Sequence, residues 1–289
     1  MNQKFAISII KIPNHEHYKI YEYAQNLLYF GLSNLGFDVI ITDNHNYEDR
    51  RYIILAAFWL KSHNDSSCEK KIIIKDNSIV WNLEQCSNNL HFDPYYLSIL
   101  KNYEVWDFDY ENAKRLNIKF NLNIYKILEF GFVRQLQKIV HKNFNEKDID
   151  LLFIGGFNKR RFKILKDASI LGLKVHRLFG VYGYERDQFI ARSKLLLNLH
   201  TSDNLDECPL EKERIGYYLN NACAVLSEQG NNSLENLLWS QAICVCKYEE
   251  LAFKALELLN NQGQIAKLQV EGLNFFKKRK MEDYLKKVL

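Results

Sequence analysis

The chain opens with a short apolar run, a long helical pattern and a second apolar run. Phe5–Ile10 has the length and composition of a buried strand. Along Tyr21–Leu35, apolar residues recur at intervals of three and four positions, which places them on one face of a helix. Gly36 is typical of a helix C-terminus, and Phe37–Thr42 again has the pattern of a strand. A strand, a helix and a strand in this order predict a parallel sheet.

The first half of the chain continues with apolar runs of strand length. They predict further strands at Tyr52–Phe58, Lys71–Ile74, Ile79–Leu83 and Tyr103–Phe108. The segment His141–Asp148 is polar and has no apolar period, and we interpret it as a linker. The sequence therefore predicts a first Rossmann-like domain over residues 1–145.

A second alternating pattern begins after this linker. Its predicted strands are Ile149–Ile154, Lys174–Leu178, Leu195–Leu199 and Ala222–Leu226. Its predicted helices are Lys159–Leu171, Glu185–Arg192 and Glu211–Asn220. We expect a second Rossmann-like domain over residues 146–270, and a C-terminal helix over 271–289 that packs back on the first domain. Two such α/β domains facing a cleft form a ligand-binding arrangement, because ligands bind at the carboxyl ends of parallel strands.

Composition excludes several classes of protein. The chain has 289 residues, of which 47% are hydrophobic and 13% aromatic, so it is long enough for two folded domains and is not a disordered protein. The net charge of +4 is small, and we expect no nucleic-acid partner. No apolar stretch is long enough to cross a membrane and no export signal is visible, which predicts a cytoplasmic protein. The basic run Lys277–Lys280 suits either simple solvation or peripheral contact with an anionic membrane.

The cysteines do not form the spacings of a metal site. The six of them include no Cys-x-x-Cys pair, so we expect reduced thiols. Cys244 and Cys246 fall on the same face of a strand, as core residues do. We therefore expect neither a bound metal nor another cofactor.

A pair of glycines joins the first strand of the second domain to a basic helix start. Gly155 and Gly156 follow the strand, and Asn158, Arg160 and Arg161 stand where the helix begins. Glycines allow a phosphate to approach the backbone, and a helix N-terminus with arginines attracts an anion. The turn matches neither the dinucleotide-binding fingerprint nor the phosphate-binding loop of the nucleoside triphosphatases. A tight turn beside exposed arginines explains it equally well.

More polar residues follow the later strands of this domain. They are His200, the acidic residues Asp203, Asp206 and Glu207, Glu211 and Arg214 at a helix start, and Ser227 and Glu228 at the last strand end. Since carboxyl ends of parallel strands share one edge of a sheet, we expect His200, the helix start at Glu211 and the strand end at Glu228 to line one site. A carboxylate there can bind two hydroxyls of a ribose, and a helix N-terminus with an arginine can hold a diphosphate.

This order of motifs resembles the C-terminal domain of the GT-B glycosyltransferases. The similarity is strongest to bacterial glycosyltransferase family 1-like proteins related to spore maturation proteins. It lies in the Gly-Gly turn with its arginines, Gly180–Asp187, Ser193-Lys194, Asn198–His200, Glu211 with Arg214-Ile215, and Val225–Glu228. The chain departs from the pattern at Leu210, where an aromatic is usual, and at Asn220–Ala222, where a glycine is usual.

The resemblance implies a function and a role for each matching position. It implies metal-independent transfer of a sugar from a nucleotide-diphosphate sugar to a saccharide, lipid-linked or other hydroxyl acceptor, as in polysaccharide biosynthesis. Arg160 or Arg161 would lie with Arg214 near the diphosphate, Glu211 near the donor sugar or its phosphates, and Glu228 near the ribose.

The general base of such a reaction is expected on the first domain. The loop after the first strand contains His15, Glu16 and His17, and either imidazole could take a proton near neutral pH. The alternative is that these three residues are solvated and cap the following helix. Two other functions stay open: a nucleotide-sugar epimerase on the same fold, and a non-catalytic binding module.

Overall fold

The computed structural model describes residues 3–65, 71–88, 90–204 and 209–289. The strands are β1 (Lys4–Ile9), β2 (Asp38–Ile41), β3 (Arg51–Leu55), β4 (Ile79–Asn82), β5 (Glu104–Asp107), β6 (Lys126–Ile127), β7 (Ile149–Ile154), β8 (Val175–Leu178), β9 (Ser193–Asn198), β10 (Val225–Glu228) and β11 (Cys244–Cys246). The helices are α1 (Glu22–Asn34), α2 (Leu60–Asp65), α3 (Pro94–Asn102), α4 (Tyr110–Phe120), α5 (Lys159–Ile170), α6 (Gly183–Ala191), α7 (Lys212–Asn220), α8 (Leu234–Trp239), α9 (Leu251–Leu259), α10 (Gln262–Lys277) and α11 (Met281–Val288). Within these ranges, we find no helix with both the length and the apolar composition needed to cross a membrane.

The chain divides into two compact units. The first runs to Val133 and also includes Lys280–Leu289, and the second is Arg134–Arg279. The first contains a parallel sheet of six strands in the order β2-β1-β3-β4-β5-β6, and the second a parallel sheet of five strands in the order β11-β10-β9-β7-β8. Helices cover both sheets, so each unit is Rossmann-like, as the sequence predicts.

Both sheets reverse their strand order at an equivalent place. The reversal lies between β1 and β3 in the first sheet and between β7 and β9 in the second. This place is the switch point of a sheet. In doubly wound sheets, ligands bind there, beyond the carboxyl ends of the strands. The topology therefore predicts that ligands bind at the loops that follow these four strands.

The division of the chain differs from the boundary expected at residue 145. His141–Asp148, interpreted above as a linker, belongs to the second unit and includes a 3₁₀ helix at Phe144–Glu146. His141 Nε2 lies 2.6 Å from the carbonyl oxygen of Asn221, and the buried Lys147 ammonium donates to the carbonyl of Ser193 at 2.8 Å. These long-range hydrogen bonds fix a polar segment that has no periodic apolar face.

The C-terminal segment is two helices rather than one. The chain leaves α10 at Lys278 and enters α11 at Met281, and α11 packs against α1 within the first unit. Gly31 makes this approach possible, because a Cβ there would stand 2.7 Å from Cδ1 of Leu285. The Lys277–Lys280 run therefore lies at the junction of two helices.

Two apolar runs of the first half do not form the predicted strands. Lys71–Ile74 is irregular, because the side-chain amide of Asn64 hydrogen-bonds both the N–H and the carbonyl of Ile72. In Tyr52–Phe58 the strand ends at Leu55, since Ala56 takes a left-handed conformation with φ 55° and a 3₁₀ helix follows. Lys71–Ile74 therefore lies outside the sheet, whereas the second run forms β3 and leaves the sheet only from Ala56 onward.

Candidate functional site

Three adjacent strands of the second sheet end beside one another and bring the predicted residues together. Gly155 follows β7, His200 lies two residues beyond β9, and Glu228 is the last residue of β10. Gly155 has a steric reason to be glycine, because a Cβ would stand 2.8 Å from the ring of Phe153. The helix α5 begins just after this turn, so its N-terminus faces the same strand ends.

Arg160 and Glu228 form a buried ion pair at this edge. One guanidinium nitrogen of Arg160 donates to Oε2 of Glu228 at 2.7 Å, and the other contacts Oε1, so the pairing is bidentate. The Glu228 side chain is 1% exposed, and its Oε2 also accepts from the backbone N–H of His200 at 3.1 Å. Burial acts to lower the pKa of Arg160, but the hydrogen bond and charge of Glu228 raise it.

Tyr248 holds the other face of Arg160. The guanidinium carbon lies 4.0 Å from the centre of the Tyr248 ring, and the tyrosine hydroxyl donates to the carbonyl of Arg160 at 2.7 Å. The sequence analysis missed this residue. It follows β11 just as Glu228 ends β10, so the strand-end rule that found Glu228 would have found Tyr248 as well.

Arg161 and Asn158 tie the start of α5 to the loop after β9. Asn158 caps the helix by accepting from the N–H of Arg161 at 2.7 Å, and its amide donates to Thr201 O at 2.9 Å. The Arg161 guanidinium donates to the carbonyls of Gly156, Leu199 and His200. These bonds hold the helix N-terminus and the strand end in a fixed arrangement.

Arg214 reaches the site from α7. Its guanidinium donates to Oδ1 of Asn198 at 2.9 Å, and the Asn198 amide donates to the hydroxyl of Ser227 at 2.9 Å. Ser227 in turn donates to Glu228 O at 2.8 Å. Asn198 is fully buried and links the two strand ends to Arg214. The sequence indicates Asn198 only as part of the Asn198–His200 motif and predicts no role for its side chain.

The site concentrates positive charge in a partly buried place. Burial, and next the neighbouring Arg214, lower the pKa of Arg161 to about 10, while Glu211 and Glu228 oppose this. Glu211 stands at the N-cap position of α7 without a side-chain capping bond. Three guanidiniums and two carboxylates therefore share one edge of the sheet, with the N-terminus of α5 adding a positive dipole end.

His200 is as deeply buried as Glu228. It is 1% exposed, and its Nε2 has no hydrogen-bond partner among the residues that the structure covers. Burial lowers its pKa, and the nearby Glu211 and Glu228 only partly oppose this shift. Its surroundings therefore favour the neutral imidazole over the imidazolium.

The structure places most of the predicted binding residues in this one network. Those joined by the contacts above are Gly156, Asn158, Arg160, Arg161, His200, Arg214, Ser227 and Glu228. Gly155 adjoins the network at the end of β7, and Glu211 joins it by its charge. The charge of Asp203 acts on Arg160 and raises the pKa of its guanidinium. Asp206 and Glu207, with Cys68 and Cys208, lie outside the described residues.

His15, Glu16 and His17 lie in the first unit, after β1 as expected. They begin a 3₁₀ helix at Glu16–Tyr21, where Nδ1 of His15 accepts from the N–H of His17 at 3.3 Å. Glu16 is paired with Lys19 at 2.9 Å. Burial, and next the charge of His15, lower the pKa of His17. His15 thus caps the helix, as the alternative interpretation held, and the structure does not test a catalytic role.

An Asp-x-Asp triplet that the sequence analysis passed over lies at the end of β5. Asp107 is buried and accepts from the side-chain amides of Asn82 and Asn112, while Asp109 caps α4. Within the part of the chain that the structure describes, no group of three or more His, Cys, Asp or Glu residues is arranged to hold a metal ion. These aspartates serve internal hydrogen bonding.

Comparison with known sequences finds relatives of unknown activity. No protein-family model matches the chain. The uncharacterised protein L140 of Acanthamoeba polyphaga mimivirus is 25% identical over 272 residues, which cover 91% of this chain and 81% of L140. The uncharacterised protein L137 of the same virus is 25% identical over 83% of this chain, but the match spans only 32% of L137.

Comparison with solved structures identifies the fold. HepE of Anabaena, determined with UDP and glucose, superposes with a TM-score of 0.60 at 11% identity and 98% coverage of both chains. WaaG, a glycosyltransferase involved in lipopolysaccharide biosynthesis, gives a TM-score of 0.58 at 9% identity, again with 98% coverage of both chains. The chain therefore has a GT-B-like fold of two Rossmann-like α/β units, which confirms the predicted fold class.

Proposed function

We propose that this protein is a glycosyltransferase that moves a sugar from a nucleoside-diphosphate sugar to a hydroxyl acceptor. The observation that carries the proposal is the cluster of Arg160, Arg161 and Arg214 at the switch point of the second sheet, beside the N-terminus of α5. A diphosphate is the anion that such a cluster suits, because it can accept several charge-assisted hydrogen bonds at once.

The carboxylates of the cluster suit the rest of a nucleotide sugar. Glu228 ends β10 and is held by Arg160, while Glu211 stands at the start of α7. Carboxylate oxygens accept hydrogen bonds from vicinal hydroxyls, which a ribose and a hexose both present. We assign Glu228 to the ribose and Glu211 to the donor sugar or its phosphates. HepE was determined with UDP and glucose, and a donor of this class on the same fold supports the assignment.

The proposed transfer needs no metal ion. The leaving diphosphate gains negative charge as its bond to the sugar breaks, and the arginines with the helix N-terminus stabilise that charge. The acceptor is a saccharide or a lipid-linked saccharide, as in polysaccharide biosynthesis.

Nucleotide titration tests the donor site. UDP, GDP and ADP are titrated into wild type and into Glu211→Ala, Arg214→Ala and Glu228→Gln by calorimetry. Removing Arg214 should weaken the binding of the preferred nucleotide by about tenfold or more, since a charge-assisted hydrogen bond contributes about 1.5–3 kcal/mol.

The matched control is Lys163→Ala, which removes a positive charge from the exposed side of the same α5 helix. Its affinity should stay within about twofold of wild type if the site and not the overall charge binds the nucleotide. Equal affinity in all three site variants would reject the assignment. Epimerised donor without nucleotide release would favour an epimerase, and no binding of any nucleotide diphosphate would favour a non-catalytic module.

A further inference from the structure

The switch point of the first sheet carries a second cluster of polar and aromatic side chains. The cluster consists of residues that follow β1, β3 and β4: His15, His17, Tyr21, Phe58, Trp59, Glu84 and His91. The rings of His15, His17 and Tyr21 each lie about 6 Å from the ring of Trp59. Within the cluster, one pair of side chains has the geometry of a proton acceptor.

Glu84 and His91 form a hydrogen-bonded dyad. Nδ1 of His91 lies 2.5 Å from Oε2 of Glu84, and the hydroxyl of Tyr21 donates to the other carboxylate oxygen at 2.6 Å. The side-chain amide nitrogen of Asn88 lies 3.1 Å from the same Nδ1 and 3.4 Å from Oε2 of Glu84. Because a carboxylate only accepts, the shorter contact to Glu84 assigns the imidazole proton to Nδ1, the Asn88 amide then donates to Glu84, and the lone pair is left on Nε2. The Glu84 side chain is 12% exposed and that of His91 32%, so the carboxylate is shielded while the imidazole can be reached.

The plane of the imidazole is fixed by an aromatic contact. The ring of Phe58 stacks on that of His91 with centroids 4.2 Å apart and an angle of 14° between the planes. Phe58 also packs against Trp59 at 5.0 Å. A base that is already held in one orientation loses little conformational entropy when the substrate binds.

A buried amide network holds the backbone of Glu84. Asn82 and Asn112 each donate a side-chain N–H to the Glu84 carbonyl, at 3.1 and 3.0 Å, and Asn82 also accepts from the Glu84 N–H. Both amides donate to Asp107 as well. Asp107 therefore contributes indirectly, because it holds the two amides that fix the loop carrying the dyad.

We propose that His91, oriented by Glu84, is the general base that takes the proton of the acceptor hydroxyl. The proposal rests on the glycosyltransferase function proposed above. The O–H bond of the acceptor breaks and its proton moves to Nε2 of His91, as the oxygen bonds to the anomeric carbon of the donor sugar. The bond from that carbon to the diphosphate breaks, and its electron pair leaves with the nucleoside diphosphate. Glu84 is the positioning residue, because it stabilises the imidazolium that forms.

The earlier candidates for this role have different contacts. Nδ1 of His15 accepts from a backbone N–H, which places its proton on Nε2 and removes the lone pair from the outward nitrogen. Glu16 is an exposed residue that pairs with Lys19. His17 lies close enough to Glu84 and His91 for their charges to act on it, so it is tested beside the dyad.

The first test is the tautomer of His91, measured on the full chain by long-range ¹H–¹⁵N NMR after histidine labelling. The His91 signals are assigned by their loss in His91→Gln. Wild type at pH 8 should show a protonated Nδ1 and an unprotonated Nε2. Glu84→Gln keeps an acceptor oxygen and should keep this tautomer, whereas Glu84→Ala should lose it. A protonated Nε2 in wild type would overturn the proposal.

The second test is sugar transfer. Wild type is assayed with UDP-glucose, UDP-galactose, UDP-N-acetylglucosamine, GDP-mannose and ADP-glucose, and with methyl glycosides as acceptors. His91→Gln should lower kcat by ~10² or more, and Glu84→Gln should lower it with UDP affinity unchanged. The kcat of His17→Gln should fall by less than the kcat of His91→Gln. His176→Gln, a substitution at an exposed position of β8, serves as the control.

The outcomes separate the two proposals. Transfer by wild type that persists within threefold in His91→Gln would overturn the dyad and leave the glycosyltransferase function standing. Equal losses in His17→Gln and His91→Gln would also overturn it, since the base would then not be assigned to His91. Consumption of no donor by wild type would overturn the function and, with it, the base.

Discussion

Removing Arg160 should destabilise the second unit, because it leaves the Glu228 carboxylate buried without its cationic partner. The Glu228 side chain is 1% exposed and that of Arg160 is 17% exposed, so water can replace the guanidinium only in part. Breaking a buried ion pair in this way costs about 3–5 kcal/mol. The bond from the His200 N–H to Glu228 remains and reduces the expected loss of unfolding free energy for Arg160→Ala to about 2–4 kcal/mol.

A double-mutant cycle isolates the pair from other effects of the substitution. Arg160→Ala, Arg160→Met, Glu228→Gln and the double variant that combines Arg160→Met with Glu228→Gln are unfolded in urea at pH 7. Hydrogen exchange of the second unit's amides is followed by mass spectrometry. The double variant should be less destabilised than the sum of the single variants, by about 1–3 kcal/mol. Lys163→Ala, in the same helix, should change the free energy of unfolding by less than about 0.5 kcal/mol. A loss below about 1 kcal/mol in Arg160→Ala would refute the reasoning.

Three further predictions concern backbone conformation, pH and packing. Ala222 has φ 54°, so Ala222→Gly should raise the free energy of unfolding by about 1 kcal/mol. Ala266→Gly, at an exposed position of helix α10, should lower it by a similar amount. Equal effects of the two substitutions in urea unfolding would contradict this. Burial raises the pKa of Asp107 to about 7, so the native state holds a proton that the unfolded chain releases near pH 4. The free energy of unfolding should therefore fall as pH rises from about 4 to about 7, by up to about 4 kcal/mol, and Asp107→Asn should flatten this dependence in urea unfolding at pH 5 and pH 8. Gly31→Ala should cost about 1–3 kcal/mol, measured by thermal unfolding, because its Cβ would stand 2.7 Å from Leu285; an unchanged midpoint would show that α11 yields freely.

The second unit is the more predictable half of the chain. Its central strands β7 and β9 contain continuous apolar runs, as expected when both faces of a parallel sheet are covered, and Gly155 follows the end of β7. The strand-end rule then places Gly155, His200 and Glu228 at one edge without any knowledge of distances. The pairing of Arg160 with Glu228 was not predictable, because 68 residues separate them and spacing alone fixes neither side chain's partner.

The first unit shows where such reasoning stops. Helix α3 begins at Asp93-Pro94, a clear start signal, but its short apolar pattern is interrupted by tyrosines and was passed over. The run Lys71–Ile74 has strand composition, yet the Asn64 amide takes its hydrogen bonds. His91 carries no periodic or motif signal, and its hydrogen bond to Glu84 becomes visible only when the loop after β4 is folded.

The turn between α7 and β10 has one feature that the sequence reveals and one that only the structure reveals. The sequence shows that Asn220–Ala222 lacks the usual glycine, and the structure shows the consequence, since Ala222 itself takes the left-handed conformation that the glycine would adopt without strain. The turn is thus kept at some cost in stability.

The central claim is that the chain transfers sugar from a nucleoside-diphosphate donor, and donor consumption tests it most directly. The purified 289-residue chain is incubated with the panel of nucleotide sugars and methyl glycosides, and the products are followed by mass spectrometry. We predict release of the nucleoside diphosphate from one donor, with the sugar found on an acceptor, and loss of this release in Arg214→Ala. Recovery of every donor intact, together with no calorimetric binding of any nucleoside diphosphate, would contradict the account.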